Sequence, residues 1–208
     1  LAATVAGCSP ARVCAQAGLV FAPETAWTGF RDVHHRDECR LAHQILTLGQ
    51  PANKREWALD RIGTCGPEGG EALATQFQAK RLANDDTPEL EDLVIAARDF
   101  VDGNLYRAAL GIASDGTAGT AARVDAIRII FGMLRPGTRA TYEEFADAET
   151  TITGAFTVQP TYGTPLPTTA AEDARKAMQD VRRTAQTEAV RNAAGKLFVA
   201  ASVSARPH

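Results

Sequence analysis

The sequence predicts an all-α protein: a short α-solenoid of about three helical hairpins, with an irregular N-terminal arm and an extended C-terminal strap plus helix. Three observations predict it. Apolar residues between 36 and 135 recur at helical spacing in six short runs. Glycine and proline punctuate those runs every few residues. Alanine is abundant while aromatics make up only 6%, a mix that suits closely packed helices better than a β-sandwich.

Residues 1–35 carry Pro10, Gly18, Pro23 and Gly29 and read as an arm, with apolar spots at Phe21, Trp27 and Phe30. The repeat domain spans 36–149. Its first stripe is Leu41, Ile45 and Leu48, stopped by Gly49-Gln50-Pro51. Asn53 is the expected N-cap of the second helix, whose stripe is Ala58, Leu59, Ile62 and Cys65. The glycines of 66–70 break it, and Ala72, Leu73 and Phe77 continue in a third. Thr87-Pro88 reads as an N-cap followed by proline at the first helical position, opening a stripe of Leu90, Leu93, Val94, Ala97 and Val101. Asp102-Gly103 stops that helix. Leu105, Ala108, Ala109 and Ile112 mark the fifth, and Val124, Ile127, Ile130, Phe131 and Leu134 the sixth. Residues 150–208 form the last region. Threonines and Pro160, Pro165 and Pro167 make 150–169 an extended strap, in which residues 152–158 suit a short strand. Thr169 and Glu172 form a capping box that opens one helix to about Ala201.

The chain of 208 residues is 45% hydrophobic and 23% charged, with a net charge of -3. No global basic field is present to recruit nucleic acid. No stretch approaches the roughly 20 apolar residues of a membrane-spanning helix.

Cys8, Cys14, Cys39 and Cys65 are an even set with no Cys-x-x-Cys spacing. That argues for disulfides rather than a redox motif, a zinc ribbon or a haem attachment. Cys8–Cys14 with Cys39–Cys65 is the simplest of three connectivities. The second bond joins the start of one helix to the end of the next in an antiparallel pair. Val5-Ala6-Gly7-Cys8 also resembles a bacterial lipobox, which would make Cys8 a lipid anchor and exclude its pairing with Cys14. Both readings place the protein outside the cytoplasm, in the periplasm or at the cell surface.

Arg55 and Arg123 lie early in the second and sixth helices, 68 residues apart, which leaves room for one further unit and a period near 34. Residues 54–63 and 66–73 together give an early arginine, an Ala-Leu, a glycine-containing turn and a second Ala-Leu. This resembles a HEAT repeat, in particular the short HEAT-like units of phycobilisome lyases. Residues 122–127 echo the arginine and the apolar step. The resemblance covers about residues 36–135 and implies a helical surface presented to other proteins. Its middle unit lacks a matching arginine.

Chemistry is sparse. His35, Cys39 and His43 stand at i, i+4 and i+8, with His34 nearby. Spread along two turns, roughly 12 Å, they cannot reach one ion from a straight helix, so no metal site is expected. The chain lacks the nucleophile elbow, the P-loop and the zincin motif, and neither catalysis nor a cofactor is expected. One charge asymmetry stands out. Residues 85–102 hold seven acids and one arginine, whereas 170–208 hold seven bases and four acids. The terminal helix is thereby suited to the acidic helix pair, within the chain or in a neighbouring copy. The functional expectation is a non-enzymatic interaction or scaffold subunit of a bacterial cell-envelope assembly, with a protein partner. Arg55, Trp57 and Arg61 are its surface candidates, and Phe21, Trp27, Phe30, Phe156 and Tyr162 its anchors. The alternatives are a tetrapyrrole-handling lyase or chaperone, as the lyase resemblance implies, and a metal-binding envelope protein using His34, His35 and His43.

Overall fold

The computed structural model describes residues 25–47, 52–97, 100–134 and 161–204. The chain divides into two compact units, Leu1–Asp37 and Glu38–His208. Of the first unit the described part is 25–37, and it is helical. Helix α1 therefore starts at Thr25 and runs to Thr47, where an irregular arm was expected up to residue 35. Gly29 alone does not interrupt it, since one glycine costs a helix only about 1 kcal/mol.

The described residues of the second unit are helical apart from one short strand pair. Helices α2 (Ala52–Ile62), α3 (Gly66–Ala79), α4 (Pro88–Ala97), α5 (Gly103–Ser114) and α6 (Thr120–Leu134) follow α1. The last two helices are α7 (Ala170–Thr184) and α8 (Glu188–Ser204). Strands β1 (Phe100–Val101) and β2 (Thr161–Tyr162) form one two-residue parallel pair, with Phe100 opposite Thr161 and Val101 opposite Tyr162. The expected strand at 152–158 lies outside the described residues.

Packing follows a simple rule. Each helix from α2 to α6 packs on the helix two further along: α2 on α4, α3 on α5, α4 on α6, α5 on α7, α6 on α8. Sequence neighbours α2 and α3, α3 and α4, α5 and α6, α6 and α7, and α7 and α8 also pack together. One apolar cluster results, drawing on every helix of this unit.

Several local expectations need correction. The buried face of α1 is Cys39, Ala42 and Leu46, while Leu41 is half-exposed. The Cys39–Cys65 disulfide sets that phase, joining α1 to the turn after α2 with 5.4 Å between Cα atoms. Helix α2 starts at Ala52, so Asn53 lies within it rather than capping it. Only the first of the expected breaker glycines turns the chain: Gly66 takes φ +58°, a backbone that favours glycine. Gly69 and Gly70 are helical. The single C-terminal helix is two, broken at Ala185, whose backbone is extended. Arg191 donates to the Ala185 and Gln186 carbonyls, both at 2.9 Å, and so closes the turn. Thr169 makes no capping bond; its hydroxyl donates to Asp173 at 2.7 Å instead.

Asp102, expected only to stop a helix, is fully buried and is the N-cap of α5. Its Oδ1 accepts from the backbone N–H of Asn104 at 2.7 Å and of Leu105 at 2.9 Å. Its Oδ2 accepts from the Thr164 N–H at 2.6 Å. The Gly163 N–H donates to the Val101 carbonyl at 2.9 Å, and the Gly103 N–H to Thr164 at 2.7 Å. A Cβ on Gly70 or Gly163 would overlap the Asp102 side chain, so both positions need glycine for close approach.

Candidate functional site

The helix-on-second-helix packing leaves grooves between α2 and α4 and between α3 and α5. The first encloses about 390 Å³. Glu56 and Asp60 stand one turn apart on α2, and Asp92 faces them from α4. Leu59, Ile95 and Ala96 supply apolar surface, and Ile95 is 52% exposed. The second groove is more polar, with Glu71, Thr75, Gln78 and Asn104.

The acidic character extends along α4. At its N-terminus, the backbone N–H of Glu89 and the Thr87 hydroxyl hold the Glu89 carboxyl below the usual carboxylate range. The Thr87 hydroxyl also accepts from the Leu90 N–H at 3.3 Å, which is the cap expected there. Asp125 of α6 is 3% exposed, and burial pushes its carboxyl up to about 6. Arg128 pairs with it at 2.8 Å and opposes that rise, while the charges of Asp86 and Glu91 add to it.

The expected surface residues are distributed differently. Arg55 is half-buried and donates to the Glu89 carbonyl at 3.1 Å, 34 residues away, which ties α2 to α4. Trp57 is half-buried against the core. Arg61 is the exposed member, its guanidinium 3.6 Å from the Glu38 carboxylate. Tyr162 is 63% exposed on β2. Trp27 and Phe30 lie on α1, with side chains outside the described residues, as are Phe21, Phe156, Cys8 and Cys14. The Cys39 sulfur is committed to the disulfide and supplies no thiolate. Among the described residues, no three His, Cys, Asp or Glu side chains gather to hold a metal. None of the described helices is long and apolar enough to cross a membrane.

Asp92 belongs to the acidic run of 85–102 already singled out, whereas sequence reasoning missed Glu56, Asp60 and Ile95. The available signal was the 36-residue offset from Glu56 to Asp92, close to the suspected period, on helices whose core stripes were already assigned.

Fold and surface together define an all-α, disulfide-bonded protein with a groove acidic at its rim. The chain matches no protein-family model, no curated protein and no solved structure.

Proposed function

We propose that the chain is a non-enzymatic protein-interaction module of a bacterial cell envelope, built as a short HEAT-like α-solenoid that presents its inter-helix grooves to a protein partner. The observation that carries this reading is the packing of each helix on the second one after it. Stacked helical hairpins pack in this way, and such stacks offer extended binding surfaces. Polar bonds at a nearly constant offset support it. Arg55 reaches Glu89 34 residues on, and Arg81 reaches Thr117 and Asn84 reaches Thr120, each 36 residues on. Export is supported by the Cys39–Cys65 disulfide, since such bonds persist in oxidising compartments.

Cross-linking mass spectrometry on native envelope extract, without reductant, tests the reading. Reproducible links from α2 or α4 to a second protein are expected. Links confined to the chain itself, with Cys39 and Cys65 recovered as free thiols, would overturn it.

A further inference from the structure

The α2–α4 groove has its complement elsewhere in the same chain. The α7–α8 hairpin buries one side against α5 and α6. Its outer surface exposes Arg182, Arg183 and Arg191, together with Lys176, which pairs with Glu172 at 2.7 Å, and Val199 is 62% exposed. Residues 170–204 hold six bases and four acids. Arg182 lies over the Phe198 ring, 5.4 Å from its centroid, which steadies the guanidinium at the surface. Arg183 pairs with Asp180, but both side chains are more than two-thirds exposed, and such a pair exchanges readily for a better-desolvated one.

The acidic rim of Glu56, Asp60 and Asp92 belongs to α2 and α4. The hairpin rests on α5 and α6, so the two charged surfaces are engaged at different places along the row of helices.

We infer that this groove receives the basic α7–α8 hairpin of a second copy of the chain. The interaction reading proposed above is its foundation. The groove of one molecule takes the hairpin of the next, with Ile95 against Val199 and the acidic rim against the arginines. Such a contact is heterologous: the dimer keeps one unused groove and one unused hairpin, and association continues past it unless a ring closes.

Sedimentation velocity of the full chain, over a wide concentration range at low and high salt, provides the test. The wild type is expected to associate with rising concentration and to weaken as salt screens the contact. Two variants separate the faces: Asp60→Ala with Asp92→Ala in the groove, and Arg182→Ala with Arg183→Ala on the hairpin. Circular dichroism establishes that each is folded. Each alone is expected to associate at least about tenfold more weakly. Mixed in equal amounts they are expected to form a 1:1 complex and nothing larger, because one variant keeps an intact hairpin and the other an intact groove. A wild type that stays monomeric throughout overturns the proposal while leaving the interaction reading to its cross-links. Variants that associate like wild type, or a mixture that stays monomeric, also overturn it.

Discussion

Asp102 and Thr164, 62 residues apart in sequence, are joined by a 2.6 Å hydrogen bond from the Thr164 backbone N–H to the buried carboxylate. The same carboxylate caps α5, so one side chain holds a helix end and the strap together.

Replacing Asp102 by alanine removes both contacts and leaves three backbone donors without this acceptor. Loss of an N-cap costs about 1 kcal/mol, and unsatisfied buried groups add to that. Urea unfolding is expected to show a loss of about 2–4 kcal/mol. Limited proteolysis is expected to cut first near residues 161–165. A variant as stable as wild type would refute the role given to this carboxylate.

Reducing the Cys39–Cys65 bond opens a loop of 26 residues. The chain-entropy model puts the loss at about 3 kcal/mol. Thermal unfolding with and without reductant measures it, and Cys39→Ser with Cys65→Ser is expected to reproduce the reduced value.

Asp125 makes stability depend on pH in an unusual direction. Its carboxyl is raised from 3.8 to about 6 in the folded state, chiefly by burial. Between those values the folded protein binds the proton more tightly than the unfolded chain does. Its contribution is therefore most favourable below the lower value and is lost as pH rises through about 6. The change is on the order of 2–3 kcal/mol. Glu89, Asp115 and Glu172, whose carboxyls are lowered, act in the opposite sense. Denaturation of wild type and Asp125→Asn across this pH range isolates the effect: only their difference is expected to slope downward with pH.

Tyr106 is buried, and its hydroxyl donates to the Ala170 carbonyl at 2.6 Å, tying α5 to the start of α7. Burial, with the charge of Asp173, pushes its phenol up to about 12. Alkaline difference spectra are expected to show one of the three tyrosines ionising near that value, and Tyr106→Phe is expected to abolish that step. The same substitution is expected to cost about 1 kcal/mol of stability. A spectrum unchanged by Tyr106→Phe would place the late phenol elsewhere.

The helical period and its punctuation were legible in the sequence because turn chemistry is local: α3 to α6 bury expected core residues such as Leu73, Leu93, Ile112 and Ile127, although Val101, expected on the helix after Pro88, stands on β1. Pairing of Cys39 with Cys65 was legible too, since two successive helices bring those positions together. Phase in α1 was not, because the inward side runs through Cys39, Ala42 and Leu46 while Leu41 is half-exposed, and the pairing of Cys39 with Cys65 is a long-range constraint. The break at Ala185 escaped because alanine at i, i+4 and i+8 (Ala185, Ala189 and Ala193) continues from it, and the turn depends on Arg191 reaching back. Asp102 looked like an ordinary turn residue, since its burial comes from a strap contributed by distant chain. The groove acids of α2, Glu56 and Asp60, stayed hidden for a related reason. Charged residues on an outward helical face look alike until a second helix is laid beside them.

The junction at Asp102 also sets an order of events during synthesis. One carboxylate oxygen finds its donors within three residues, as soon as α5 begins to wind. The other waits for Thr164, and the parallel pairing of β1 with β2 waits with it. Long-range closure is slow compared with helix formation. The early helices therefore emerge from the ribosome as a provisional assembly, and consolidation of the centre comes only when the last quarter of the chain is available. Release of a nascent chain shortened ahead of the strap would thus yield helices without a settled interior, a ready substrate for quality-control proteases.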